Sequence, residues 1–207
     1  MIKARHNPLV YQFFKRYAKG SIRSHFHDVV IRGEVDVKQY PVLVLSNHIS
    51  WWDGFWALYL NMEVLKKKFH FMMDQEQLQK RWLFSHAGGY SIDAGSKSLF
   101  ESLKYTADLL TKSDNMVLIY PQAKLYSAHT DDVQFKRGLS LIPIGDKLTC
   151  KVVMLVQLTD YFENKRPTLS MYIEEADLTG KEPLKTMEAQ YNAFYKKCKN
   201  QQSAKTV

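Results

Sequence analysis

A histidine and an aspartate stand five residues apart in the run Ser46-Asn47-His48-Ile49-Ser50-Trp51-Trp52-Asp53. Imidazole titrates near neutrality. A carboxylate on one ring nitrogen fixes the tautomer and steadies the imidazolium that forms when the other nitrogen takes a proton. A pair arranged in this way is a general base for an acceptor hydroxyl, worth roughly 10²–10⁴ in rate. On a helix, five residues turn through about 500°, which leaves the two side chains about 140° out of phase. They meet only if residues 48–52 form a turn that folds the carboxylate back on the imidazole. A second reading of the same spacing has Asp53 capping a following helix and His48 as a polar loop residue.

The elements that must position this run follow from hydrophobic patterning. Pro41 to Ser46 is a short apolar, β-branched run that reads as a strand buried on both faces and delivers His48 at its carboxyl end, where α/β domains place ligand loops. Strands are expected at His27–Glu34, Phe69–Met73, Tyr90–Ile92, Asn115–Tyr120, Lys151–Leu158 and Thr168–Glu174. Helices are expected at Gly54–Asn61, Gln75–Phe84, Ser98–Lys112, Gly138–Ile142 and Glu182–Lys199. Ser98 and Glu101 read as a capping box, with Leu99, Leu103, Ala107 and Leu110 as the buried stripe. Strands alternating with helices predict a single α/β domain with a largely parallel central sheet flanked by helices. The expected organisation is a basic amphipathic segment at 1–27, the α/β domain at 28–200 and a tail at 201–207.

The chain carries 29 Lys and Arg against 21 Asp and Glu, a net charge of +8, but the excess lies at its ends. No acid precedes Asp28 while six bases do, and no acid follows Glu188 while four bases do, so the body holds 19 bases against 21 acids. That distribution suits ends that settle on an anionic surface better than a basic active site. No zinc finger, glycine-rich recognition loop or RNA-binding aromatic pattern appears, so nucleic acid is not an expected partner. Two cysteines, Cys150 and Cys198, make no disulfide framework and have no zinc-like spacing with the histidines, so no metal ligands are assigned. The start lacks the uninterrupted apolar core of a secretory signal, and no stretch reaches the roughly 18 apolar residues of a spanning helix. The expected location is cytoplasmic, peripheral on the inner face of the membrane.

Residues 7–19 carry the anchoring signal. Asn7 can cap a helix, Pro8 suits its first position and Gly20 can stop it. Leu9, Val10, Phe13, Phe14 and Tyr17 share one helical face, flanked by Lys15, Arg16 and Lys19. Two readings are open: the face lies in the headgroup region of an anionic bilayer, or it packs on the domain's own core.

Asn47-His48-x-x-x-x-Asp53 resembles the NHxxxxD signature of the glycerolipid (1-acylglycerol-3-phosphate and lysophospholipid) acyltransferase family, and three weaker blocks follow in order. Gly89-Tyr90-Ser91-Ile92-Asp93 resembles the second block. Ile119-Tyr120-Pro121-Gln122-Ala123-Lys124 sits where the family has Phe-Pro-Glu-Gly-Thr-Arg. Phe135-Lys136-Arg137-Gly138 resembles the segment before the last block, with Val152 to Val156 as its strand.

The resemblance implies transfer of an acyl chain from a thioester, acyl-CoA or acyl carrier protein, to a lyso-lipid hydroxyl, without metal, cofactor or covalent intermediate. His48 would be the general base and Asp53 its orienting partner. Asn47 would hold the turn, and Asp93, Gln122, Lys124, Lys136 and Arg137 would bind substrates. The departures bear on the acceptor. The second block ends in Ala94 where the family usually has Arg, and the third replaces Glu-Gly and Arg by Gln122, Ala123 and Lys124. Losing two guanidiniums removes bidentate phosphate recognition, because an ammonium is a point charge and not a fork. A related lyso-lipid, such as an aminolipid, is therefore expected in preference to lysophosphatidate. The alternative is a catalytically silent relative that only binds lipid or membrane.

Overall fold

The computed structural model describes residues 1–93, 98–144, 149–178 and 183–206. Among them a seven-stranded sheet runs in the order β1-β7-β6-β2-β5-β3-β4. Its strands are β1 (Asp28–Arg32), β2 (Val42–Ser46), β3 (Lys68–Asp74), β4 (Gly89–Ile92), β5 (Asn115–Ile119), β6 (Lys151–Asp160) and β7 (Thr168–Glu175). Every pairing is parallel except β6 with β7, which is antiparallel. The helices are α1 (Pro8–His25), α2 (Asp53–Leu60), α3 (Gln75–Lys80), α4 (Leu83–His86), α5 (Ser98–Leu109) and α6 (Pro183–Ser203). This is the α/β domain with a largely parallel sheet that the patterning predicts.

The sheet is buried on both faces, and the alternation along β2 shows how. Val42 and Val44 pack into a cluster with Phe14, Ala18, Trp56 and Leu60 from α1 and α2. Leu43 and Leu45 join Leu103 of α5 and Tyr191, Phe194 and Tyr195 of α6 on the opposite face. Such two-sided burial is why parallel strands read as continuous apolar runs. β2 lies between β5 and β6, at the point where the chain changes its direction of travel across the sheet. The crevice that forms there, beyond the carboxyl ends of the strands, is where α/β domains bind ligands.

Four expectations are corrected. Gly20 does not stop α1, which runs on to His25; burial of Ala18 and Ile22 carries the helix through, and Gly20 faces open space. The single helix expected over 75–84 is two short ones, because Arg81 takes a non-helical backbone conformation between them. The α5 helix ends at Leu109, and residues 110–112 continue only in tight turns. At the other end, α6 continues through Ser203 and so takes in part of the expected tail. There the Tyr172 hydroxyl donates to buried Gln202 at 2.6 Å. Ser98 is the first residue of α5, and its cap position, with Ala94, lies outside the described residues.

The apolar face of α1 divides. Phe14, Ala18 and Ile22 are buried against the sheet, whereas Leu9, Phe13 and Tyr17 are 82%, 59% and 40% exposed. Ahead of the helix, residues 2–7 are stitched to the β4 side. Ile2 and Ser91 exchange hydrogen bonds, and the Arg5 and Asn7 N–H groups donate to the carbonyls of Ser85 and His86. Among the described residues no helix is long and apolar enough to cross a membrane.

Candidate active site

Beyond Ser46 the backbone leaves the β2 ladder, and the side chain of Asn47 takes over the next step. Its amide donates to the Gln157 carbonyl and accepts from the Gln157 N–H, both at 2.9 Å. A side-chain amide here reproduces a peptide group, so β6 keeps its hydrogen bonds while β2 turns away. Residues 48–52 then form the turn that the spacing requires. Asp53 Oδ2 accepts from His48 Nδ1 at 2.9 Å and from the N–H groups of Ile49 at 2.7 Å and Ser50 at 2.9 Å. Asp53 thus closes the turn that precedes its helix and does not cap the helix that follows.

Three donors on one carboxylate oxygen place the proton of the neutral imidazole on Nδ1. Nε2 is left with a lone pair and no hydrogen bond among the described residues. The Asp53 side chain is wholly buried while that of His48 is 25% exposed, so the pair opens outward through the imidazole. Burial pushes the Asp53 carboxyl above the usual range, opposed by the hydrogen bonds from His48, Ser50 and Ile49.

The loop after β5 holds His48 by both backbone groups. Gln122 Oε1 accepts the His48 N–H at 2.7 Å, and the Tyr126 N–H donates to the His48 carbonyl at 2.9 Å. Gln122 is 2% exposed. Beside it Ala123 has φ of 57°, the left-handed region in which glycine is unstrained. The N–H of Lys136 donates to the carbonyl of Pro121 at 3.0 Å and draws the far end of the loop back to its start.

Of the residues singled out from the sequence, His48, Asp53, Asn47 and Gln122 meet at this point. The side chains of Lys124, Lys136 and Arg137 are exposed on the loop. Asp93 follows β4, three strands from β2 and so roughly 14 Å along the sheet. Two further residues belong to the constellation. Gln157 is the lone polar residue in the run Val152 to Leu158, and that interruption of an apolar strand is the signal for it. Tyr120 stacks on the imidazole with ring centroids 4.0 Å apart and planes at 13°; its place in the third resembled block is the signal for it, although the block alone does not assign it this contact.

An apolar groove of about 330 Å³ lies alongside. Its wall includes Trp51, three residues after His48 on the same turn, with Phe13 and Tyr17 of α1, Phe55 of α2, and Trp82 and Leu83. The aromatic cluster beside the histidine therefore divides: Phe55 and Trp56 are core, while Trp51 is 53% exposed in the groove. Lys80 and Arg81 stand at its edge. Both cysteines are buried, which pushes the Cys150 thiol up to about 11 and the Cys198 thiol to about 12, so both are inert. Lys67 ties two loops through its ammonium, which donates at 2.8 Å to the carbonyls of Lys38 and Ser113.

Residues 28–144, more than half of the chain and the whole of this site except Gln157, match the Acyltransferase family model. The chain belongs to that family. Within 122 residues this acyltransferase-family chain is 27% identical to the 1-acyl-sn-glycerol-3-phosphate acyltransferase of Streptococcus pneumoniae (strain ATCC BAA-255 / R6). The match covers 58% of this chain and 42% of that protein, so the chain spans less than half the length of this relative. The fold is similar to that of the 1-acyl-sn-glycerophosphate (LPA) acyltransferase PlsC from Thermotoga maritima. The TM-score is 0.60 at 15% identity over 95% of this chain and 81% of that one.

Proposed function

We propose that this chain transfers an acyl group from a thioester, acyl-CoA or acyl carrier protein, to the hydroxyl of a lyso-lipid. The observation that carries this reading is the His48–Asp53 bond of 2.9 Å, which leaves Nε2 without a partner on the partly exposed side of the pair. The acceptor hydroxyl donates to Nε2 and passes its proton there as its oxygen forms a bond to the thioester carbonyl carbon. The tetrahedral intermediate collapses, the C–S bond breaks, and the departing thiolate takes the proton back from the imidazolium. Asp53, already hydrogen-bonded to Nδ1–H, stabilises the imidazolium between those two transfers.

The groove suits an acyl chain, and the exposed Leu9, Phe13, Trp51, Trp82 and Leu83 suit the interfacial layer of a bilayer. Lys15, Arg16, Lys80 and Arg81 beside them favour an anionic leaflet and hence the inner face of the membrane. For the acceptor, the relatives are named for the lysophosphatidate reaction, whereas this chain has Ala94 and Lys124 in the second and third blocks, where the resembled family usually has guanidinium forks. A lyso-lipid with a different polar head, such as a lyso-aminolipid, is the preferred acceptor.

The test is acyl transfer by purified protein on mixed vesicles carrying lysophosphatidate or lyso-aminolipid, with His48→Ala as control. Transfer that His48→Ala abolishes supports the reading. Full activity in that variant removes His48 as the base, efficient turnover of lysophosphatidate alone overturns the acceptor preference, and vesicle binding without transfer to any acceptor points to a silent lipid-binding relative.

A further inference from the structure

Behind the outward face of the imidazole lies Tyr120, at the end of β5, and both parts of its side chain bear on the pair. The ring lies flat on that of His48. A hydrogen bond at Nδ1 leaves an imidazole free to pivot about that bond, since χ2 of histidine is a broad torsion. The stacked ring removes the pivot and holds Nε2 in one direction. When Nε2 takes a proton, the imidazole becomes a cation against a π face. That attraction arises only in the charged state, so it favours the transition state over the ground state.

The hydroxyl end is equally specific. Tyr120 Oη and Asp53 Oδ1 are both buried and both without a hydrogen-bond partner among the described residues. All three donors to Asp53 converge on Oδ2. The phenol oxygen stands over the start of α2, where a Cβ on Gly54 would lie 3.8 Å from it. Burial, and next the charge of Asp53, push this phenol well above its usual range, so it keeps its proton. It is a neutral donor within the electrostatic reach of Asp53, whose Oδ1 lacks a donor. Catalytic hydrogen bonds are often open in the free protein and close as charge develops. Where the resembled third block has Phe, this chain has Tyr, so the hydroxyl is its own.

We infer that Tyr120 is a positioning residue, its ring fixing the His48 imidazole and its hydroxyl serving Asp53 Oδ1 once the imidazolium forms; this rests on the general-base reading of His48. The other titratable group behind the pair is Tyr191 of α6. It donates its own hydroxyl to the Leu155 carbonyl at 2.8 Å and, buried, also keeps its proton.

Two substitutions separate the ring from the hydroxyl. Tyr120→Phe keeps the stack and removes the bond that forms with the imidazolium, so the imidazolium is held less tightly. Tyr120→Leu removes the π face as well, so it is held less tightly still. The readouts are the pH profile of acyl transfer and an NMR titration of the His48 imidazole in the full chain. The acid limb and the NMR midpoint should move down by about half a unit in Tyr120→Phe and down by about one unit in Tyr120→Leu. In the Leu variant kcat should fall about tenfold or more with KM little changed. An unmoved His48 midpoint in Tyr120→Phe overturns the hydroxyl role, and a midpoint in Tyr120→Leu no lower than in Tyr120→Phe, with full kcat, overturns the ring role. The NMR midpoints need no turnover, so they test the contact even where His48→Ala shows that His48 is not the base.

Discussion

Asn47 and Gln157, 110 residues apart, exchange two hydrogen bonds of 2.9 Å between the side chain of one and the backbone of the other. This exchange lets the central strand of the sheet end at Ser46, two residues before His48, without leaving β6 unpaired. Asn47→Ala strands a buried N–H and a buried C=O, each worth about 1–3 kcal/mol. We expect a stability loss of about 2–5 kcal/mol in urea unfolding, with acyl transfer falling as the turn loses its anchor. A variant with unchanged urea midpoint would show that the exchange does not support the turn.

Ala123 should be improvable. With φ of 57° it holds a side chain in a region that costs an L-residue about 1–2 kcal/mol. Ala123→Gly relieves that cost and gives back about 0.4–1 kcal/mol through the freer unfolded chain. The expected outcome is a net gain of about 0.5–1 kcal/mol with the Gln122–His48 bond intact. A lower midpoint in Ala123→Gly would mean the turn is not strained.

The two faces of α1 should respond differently to substitution. Phe13→Ser combined with Trp82→Ser changes residues 59% and 61% exposed and should leave unfolding unaltered. Binding to anionic vesicles should fall by about tenfold or more. Phe14→Ser, at a position 9% exposed, should instead destabilise the domain by about 3 kcal/mol or more. Vesicle sedimentation and thermal unfolding of the two variants decide the matter, and undiminished sedimentation of the double variant would remove this face as the docking surface.

Acid should loosen the hold of residues 2–7 on the sheet. His6 and His70 pack edge to face with centroids 4.6 Å apart. Burial, with Lys68 near both and each ring close to the other, lowers His6 to about 4 and His70 to about 3. Both values lie below the ordinary 6.5, so the folded state binds fewer protons than the unfolded one. The stability is therefore complete above pH 6.5 and is lost as pH falls toward 4 and then 3. For His70 the slope reaches about 1.4 kcal/mol per pH unit; the more exposed His6 adds a smaller, screened share. Urea midpoints between pH 7 and 4 should show the decline, and His70→Gln should flatten it; a decline of the same slope in that variant would assign it to other groups.

Strand positions were legible because β-branched runs such as Val42–Leu45 and Val152–Val156 leave little choice in a sheet covered on both faces. The need for His48 and Asp53 to meet by a turn was legible from helical phase alone. The means of meeting was not. The donors to Asp53 include two backbone N–H groups, which carry no residue signature, and the turn depends on Gln157, far away in sequence. Likewise Leu9, Phe13, Phe14 and Tyr17 share one helical stripe, and periodicity does not say that the sheet covers Phe14 and leaves the others bare. Arg81 breaks a helix that composition alone would continue.

The divided helix has a kinetic consequence. A domain held by Phe14, Ala18 and Ile22 on one side of α1 would, with the proposed docking through Leu9, Phe13 and Tyr17 on the other, meet its acceptor in two dimensions. Turnover would then follow the mole fraction of lyso-lipid in the bilayer and not its bulk concentration. Diluting the acceptor with inert phospholipid at constant total acceptor should slow the reaction, while adding water to the same vesicles should not.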